Sequence, residues 1–303
     1  MATKIFIDGE AGTTGLQIRE RLAGFPGIEL ASLTGEARKD VAAKRELLAQ
    51  VDVTILCLPD EAAKEAAKLV EAMGDKGPRV IDASSAHRIA PGWVFGFPEM
   101  IERQGQRIAQ ARRVTNPGCH ATGAIALIRP LVEAGFVAVD MALSIQSVSG
   151  YSGGGKSMIS AYESGKAPPF ELYGLGLEHK HLPEIWLYSG LTARPIFVPS
   201  VGNFRQGMLV SVPLHLDALP GKPTAADLRA AFVRHYAGAV HVKVADVGEL
   251  RLEPEALNGT NDLEIHVYGN EVRRQAVVVA RFDNLGKGAS GAAVQPLQRM
   301  LGT

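Results

Sequence analysis

Apolar residues come in short runs over the first third of the chain and then alternate with polar ones over much of the remainder. Lys4–Asp8 (KIFID) is a compact apolar run that stops at Gly9. From Thr14 to Leu22 the apolar positions Leu16, Ile18 and Leu22 predict a helix. Ile28–Leu33 reads as a second strand. Val51–Leu58 (VDVTILCL) is mostly apolar, as a strand covered on both faces should be. Asp60–Met73 is Ala-rich and helical, and Pro78–Asp82 gives another short strand. This strand–helix–strand repetition predicts a parallel sheet with right-handed crossovers.

The period changes after about residue 136. Val137, Val139, Met141, Leu143 and Ile145 alternate with other residues, as do Met208, Val210, Val212, Leu214 and Leu216. Alternation at period two marks a sheet with one face covered. Thr224–Tyr236 reads as an amphipathic helix with a Thr cap. Leu263, Ile265 and Val267, then Gln275–Phe282, supply further strands, and Lys287–Leu301 reads as a closing helix. The fold class expected is α/β: a Rossmann-like dinucleotide-binding domain over 1–118, followed by a mixed α+β substrate domain over 119–283.

Composition agrees with two domains and narrows the setting. The chain has 303 residues, 46% of them hydrophobic and 21% charged, enough apolar surface for sizeable cores. Lys and Arg total 32, as do Asp and Glu. A zero net charge argues against binding nucleic acid or an anionic membrane through bulk electrostatics. Two cysteines do not make a disulfide framework, which points to a reducing compartment. The start, MATKIFIDGE, lacks the basic and long apolar stretches of a signal peptide, and no run approaches the roughly 18 apolar residues of a membrane span. A cytoplasmic location is expected.

Gly9-Glu-Ala-Gly-Thr-Thr-Gly15 lies between the first strand and the first helix. Its spacing is GxxGxxG rather than the commoner GxGxxG. Glycines there let the backbone approach a pyrophosphate while the helix start aims free N–H groups at it. Gly9, Gly12, Thr13, Thr14 and Gly15 are therefore candidate coenzyme contacts. After the second strand, where an NAD reader usually carries an acid, stand Ser32 and, beyond Gly35 and Glu36, Arg38. A hydroxyl and a nearby Arg suit a 2′-phosphate and favour NADP(H), while Glu36 leaves a ribose acid open.

The two cysteines differ in their surroundings. Cys57 sits inside VTILCL and reads as an inert core thiol. Cys119 follows Asn116-Pro117-Gly118 and opens a mostly apolar helix that Pro130 should end or kink. At a helix start, backbone N–H groups and the dipole favour thiolate over thiol. Cys119 is the candidate nucleophile. An acid/base should be a His, and His179 and His181 flank Lys180 in the loop GLGLEHKHLPE. His120 is adjacent to Cys119, but helix neighbours diverge by about 100°. Arg88, in the loop after the strand ending at Asp82, and Lys156, after the Ser/Gly-rich loop from Ser149 through Gly153 to Gly155, are candidate cations and cradle for anionic groups. Gly150–Ser157 also satisfies GxxxxGK[ST] literally, but the alternating strand before it is wrong for a nucleoside-triphosphate loop.

The run VTNPGCHATG from Val114 to Gly123 resembles the active-site signature of the N-acetyl-γ-glutamyl-phosphate reductases of arginine biosynthesis. Six further blocks resemble the short subfamily: Asp82–Arg88, Gly96–Glu99, Ser149–Lys156, Glu178–Glu184, Val198–Asn203 and Asp283–Gly291. His120 departs from the aromatic residue many members carry there. The resemblance implies NADPH-dependent reduction of an acyl phosphate to an aldehyde. A thiolate attacks the acyl carbon, phosphate leaves, and hydride reduces the thioester. It implies Cys119 as nucleophile and one of the His179/His181 pair as acid/base; His181, directly before Leu-Pro-Glu, is preferred, with Glu184 to orient it. Arg88, Ser149, Gly153 and Lys156 would bind substrate, and no metal is implied. The resemblance further implies that the segment 284–303 returns to the first domain, that Asn284 reaches the nicotinamide amide, and that the substrate domain assembles a homo-oligomer, a dimer or tetramer. Aspartate-semialdehyde dehydrogenase, or a reductase of another acyl phosphate, shares this logic. A non-catalytic NADP sensor would not need a helix-start thiolate.

Overall fold

The computed structural model describes residues 2–38, 40–246, 248 and 250–302. The chain divides into two compact units: Met1–Pro98 with Arg103–Pro117 and Ala289–Thr303, and Glu99–Glu102 with Gly118–Gly288.

In the first unit, strands β1 (Thr3–Asp8), β2 (Ile28–Ala31), β3 (Val53–Leu56), β4 (Arg79–Asp82), β5 (Val94–Phe95) and β6 (Arg113–Thr115) form one sheet in the order β2-β1-β3-β4-β6-β5. Every pairing is parallel. Between the strands run helices α1 (Thr13–Leu22), α2 (Val41–Leu48), α3 (Asp60–Glu71) and α4 (Gln104–Gln110). Alternation along β1 divides the core in two. Ile5 and Ile7 join Ile18 and Leu22 of α1, Ile108 of α4 and the C-terminal segment on one face. Phe6 joins Leu48 of α2 and Ala63, Ala66 and Val70 of α3 on the other. This is the doubly wound arrangement, which presents the loops at the carboxyl ends of the strands as the binding edge.

The second unit holds a seven-stranded mixed sheet, ordered β11-β12-β13-β10-β7-β9-β8. Its strands are β7 (Ser144–Gly150), β8 (Phe170–Leu172), β9 (Ile196–Gly202), β10 (Met208–His215), β11 (Val242–Val244), β12 (Leu263–Asn270) and β13 (Gln275–Phe282). The helices are α5 (Cys119–Glu133), α6 (Gly155–Glu163), α7 (Leu182–Ser189) and α8 (Ala225–His235). Along β10, Met208, Val210, Val212 and Leu214 are buried while Pro213 and His215 are exposed. Helix α5 covers β10 and β13, and α8 covers β12. The opposite face carries an open apolar cavity of about 780 Å³ lined in part by Val148, Leu172, Leu209, Tyr268 and Val279. A π turn, Gly286–Ser290, leads into α9 (Gly291–Leu301), which packs on α4 and α1.

One sequence expectation needs correction. The alternation from Val137 to Ile145 does not make a strand over its whole length. Residues 137–143 form a bend, a turn and irregular chain, and β7 begins at Ser144, so its buried positions are Ile145, Ser147, Ser149 and Gly150. Pro130 does not end its helix, because α5 continues to Glu133. A proline there has no N–H to give the carbonyl four residues back, which is Ala126. The hydroxyl of Tyr236, after α8, donates to that carbonyl at 2.8 Å instead. The buried phenol thus replaces the missing bond and ties α8 to the nucleophile-bearing helix. Tyr236→Phe strands a buried carbonyl and should cost about 1–3 kcal/mol in urea denaturation. An unchanged midpoint would refute this account.

Candidate active site and coenzyme turn

The turn after β1 is built around close backbone approach. The Gly12 N–H donates to the Gly9 carbonyl at 3.0 Å, and Leu16 N–H to Gly12 at 2.9 Å, which starts α1. A Cβ on Gly15 would overlap the Gly9 carbonyl, and one on Gly9 would overlap the Cys57 carbonyl. Gly9 also has φ +91°, which L side chains rarely adopt. Thr13 and Thr14 open the helix, so the unbonded N–H groups of its first turn lie where the sequence predicts a pyrophosphate. The glycine cradle fits such a group. A cavity of about 190 Å³ beside it is lined by Gly9, Glu10, Ala11, Leu33, Arg38 and Lys44 among others.

Ser32 and Arg38 come together around a third residue. Glu10 accepts from Ser32 Oγ at 2.9 Å and from Arg38 Nη2 at 3.1 Å. Arg19 of α1 joins them, with Nη1 2.5 Å from Glu10 and 2.8 Å from Ser32 Oγ. Glu36 is exposed and lies outside these contacts. Sequence reasoning missed Arg19 and Glu10. Glu10 was inside the motif, but only the glycines there carry a recognisable pattern.

Cys119 is the first residue of α5, with Gly118 as its N-cap in extended conformation. The thiol is partly exposed. Across from it, His181 is the N-cap of α7 and only 5% exposed. Donor atoms of Cys119, His120 and His181 all lie within 4.8 Å of one another. His179 is outside that set; its Nδ1 accepts the His181 backbone N–H at 3.1 Å, and the two rings meet edge-on. Glu184, in the first turn of α7 and 1% exposed, accepts the Gly118 N–H at 3.2 Å. The carboxylate thereby clamps the start of α5 to α7. On another side of Cys119 stands Gly288, where a Cβ would come 2.8 Å from the Cys119 Cβ. Only glycine leaves the nucleophile this room.

His120 is held at both ring nitrogens, with Nδ1 2.8 Å from Ser147 Oγ and Nε2 2.8 Å from Tyr173 Oη. Burial, reinforced by His179 and Lys180, pushes its pKa down to about 3. It is a neutral spacer in the working range. Such a Cys–His–His set has the donor chemistry for zinc. His120, however, could offer a lone pair only by giving up a hydroxyl bond, so the group reads as a nucleophile with its neighbours.

Two family models match the chain: the semialdehyde dehydrogenase NAD-binding domain over residues 4–108, and the semialdehyde dehydrogenase dimerisation domain over 119–284. An N-acetyl-γ-glutamyl-phosphate reductase 2 of Pseudomonas putida is 52% identical over 98% of this chain and 96% of its own. One from Chelativorans sp. is 52% identical over 99% of both, and one from Brucella ovis 49% over the full length of both. The chain belongs to the N-acetyl-γ-glutamyl-phosphate reductase family. It is a nicotinamide-dependent oxidoreductase. The same fold is seen in aspartate semialdehyde dehydrogenases from Francisella tularensis (TM-score 0.76, 14% identity, 99% of this chain and 100% of that one) and Vibrio cholerae, the latter complexed with ASA (TM-score 0.74, 15%, 99% and 98%).

The family blocks now have physical roles. Within the second unit, Glu99 and Lys287 form a buried ion pair, Lys287 Nζ lying 3.0 and 2.9 Å from the two Glu99 oxygens. Lys287 is 1% exposed, so removing either partner would leave a buried charge. Arg88, in the loop after β4, is buried and donates from Nε to the Asn116 carbonyl at 3.2 Å. Ser149 is the buried last-but-one residue of β7, Gly153 lies in the 3-10 turn that follows, and exposed Lys156 is the second residue of α6. Asn284 is 1% exposed and fastens this loop: Nδ2 donates to Ser152 Oγ at 3.0 Å, and Oδ1 accepts the Gly207 N–H at 2.8 Å. A Cβ on Gly153 would sit 3.1 Å from Ser149 Oγ and 3.4 Å from Asn284 Nδ2. The stretch resembling a nucleoside-triphosphate loop is thus packed around a side-chain amide. Among the described residues, no helix is long and apolar enough to cross a membrane.

Proposed function

We propose that this chain reduces N-acetyl-γ-glutamyl phosphate to N-acetylglutamate 5-semialdehyde and phosphate, in arginine biosynthesis, with NADPH. The observation that carries the reading is Cys119 at the start of α5 with a His181 ring nitrogen inside the same 4.8 Å cluster. His181 takes the thiol proton at that nitrogen. Cys119 Sγ bonds to the acyl carbon as the carbon–oxygen bond to phosphate breaks, leaving a thioester. The first-turn amides of α5 donate to the oxyanion. Arg88, Ser149, Gly153 and Lys156 hold the phosphate and carboxylate of the substrate. Gly9, Gly12, Thr13, Thr14 and Gly15 would hold NADPH, with Asn284 at its carboxamide, and the coenzyme when bound would supply the hydride that reduces the thioester carbon. The carbon–sulfur bond then breaks to release the aldehyde, and His181 returns its proton to the Cys119 sulfur. Ser32 and Arg38 read the 2′-phosphate. We place the enzyme in the cytoplasm as a homo-oligomer, dimer or tetramer, assembled through the open face of the second sheet.

The deciding assay runs in reverse, with semialdehyde, phosphate and NADP⁺. N-acetylglutamate 5-semialdehyde should be turned over with kcat/KM at least about 10²-fold above aspartate semialdehyde. Equal or better use of aspartate semialdehyde would overturn the substrate assignment. Arg38→Ala should weaken NADPH by about tenfold and NADH little, since a charge-assisted bond to phosphate is lost. Equal weakening of both would overturn the choice of NADP.

A further inference from the structure

We propose that Glu10 is a resident stand-in for the coenzyme 2′-phosphate: it occupies the arginines that would read that phosphate and must be displaced when NADPH binds. The inference rests on the reading of Ser32 and Arg38 as a 2′-phosphate site.

Three donors from three elements converge on one carboxylate. Arg19 comes from α1, Ser32 from the loop after β2, and Arg38 from the 3-10 turn Gly35–Arg38. Their distances to Glu10 oxygens are 2.5, 2.9 and 3.1 Å. Arg38 is further fixed through Nε to the Leu33 carbonyl at 2.8 Å, so its free fork points at Glu10. Two guanidinium charges and a hydroxyl around a single negative charge leave an excess of one positive charge. That donor set matches a phosphate dianion with three acceptor oxygens better than a carboxylate with two. The Glu10 side chain is 14% exposed, whereas those of Arg19 and Arg38 are 43% and 50% exposed. The carboxylate therefore lies beneath the arginines, and the arginines remain open to a ligand.

A phosphate arriving while Glu10 stays in place would set like charges on the same donors. The carboxylate must then swing out, so each binding event exchanges one anion for another. A ribose with a free 2′-hydroxyl makes no such demand, because Glu10 can stay and accept from it. Glu10 thus sets the selectivity between the two kinds of nucleotide by opposing the phosphorylated one.

The test is titration calorimetry of the full-length protein with adenosine 2′,5′-bisphosphate and with adenosine 5′-monophosphate. E10Q should tighten the bisphosphate by about tenfold, since the repulsive competitor is gone, and should not tighten the monophosphate. E10A should move the bisphosphate in the same direction, which separates the lost charge from the glutamine amide. Weaker bisphosphate binding in both variants would overturn the proposal, because the carboxylate would then be positioning the arginines. An equal change for both ligands would overturn it too. If the wild type binds the two ligands alike and R38A changes neither, the 2′-phosphate reading has failed. If the wild type prefers the bisphosphate and E10Q does not alter that preference, only the role given to Glu10 has failed.

Discussion

Cys119→Ser should abolish reduction, lowering kcat by about 10⁴-fold or more, while NADPH binding stays within about twofold of the wild type. A serine hydroxyl is both a weaker nucleophile and a poorer leaving group than the thiolate. The coenzyme turn at Gly9–Gly15 belongs to the other unit and is untouched by the substitution. The same thiol should dominate alkylation. Cys57 is pushed up to about 12 by burial first, then by Asp82 and Asp8. At neutral pH Cys57 stays in its unreactive thiol form. Iodoacetamide should therefore label Cys119 and stop catalysis long before Cys57 reacts, and acyl-phosphate substrate should protect. Equal labelling of the two cysteines, or substantial reductase activity in the serine variant, would remove covalent catalysis from the scheme.

How much of this was legible beforehand depends on the range of the interactions involved. The parallel sheet could be read because β3 is mostly apolar and covered on both faces, with Val53, Thr54, Ile55 and Leu56 all buried. The covered face of the second sheet could be read from the alternation along β10. Cys119 stood out because Pro117 and Gly118 announce a helix start locally. What escaped depends on partners far apart in sequence. Nothing near Pro130 says that Tyr236, 110 residues beyond the orphaned Ala126 carbonyl, will satisfy it. Nothing near Glu99 says that its charge will be matched by Lys287, 188 residues on. The short helix α7 and the two-residue strand β5 lack enough positions for a period to show. The early start assigned to β7 is a different failure: Val137 and Leu143 are buried in irregular chain, so alternation by itself does not define a strand.

The second large effect separates three histidines that sequence alone could not rank with certainty. His181→Asn should lower kcat by about 10²–10⁴-fold and flatten the pH–rate profile on the limb where the base must be unprotonated. His181 is the histidine of the loop pair whose ring nitrogen lies with the Cys119 sulfur in the 4.8 Å cluster. His179→Asn should leave that limb in place and change KM more than kcat, because His179 spends Nδ1 on the His181 backbone and acts through it. His120 cannot rescue the variant. Both its nitrogens are bound to hydroxyls, and burial holds its pKa at about 3. An imidazole that titrates there stays neutral from about pH 5 to 9 and contributes no limb in that range. His120→Asn should instead act on shape: Ser147 and Tyr173 lose their shared partner, the wall beside Cys119 loosens, and KM rises while the pH limb persists. If the limb vanished in His179→Asn and survived in His181→Asn, the acid/base would be the other member of the pair, and α7 would serve to present Glu184 to the start of α5 rather than to deliver a proton carrier.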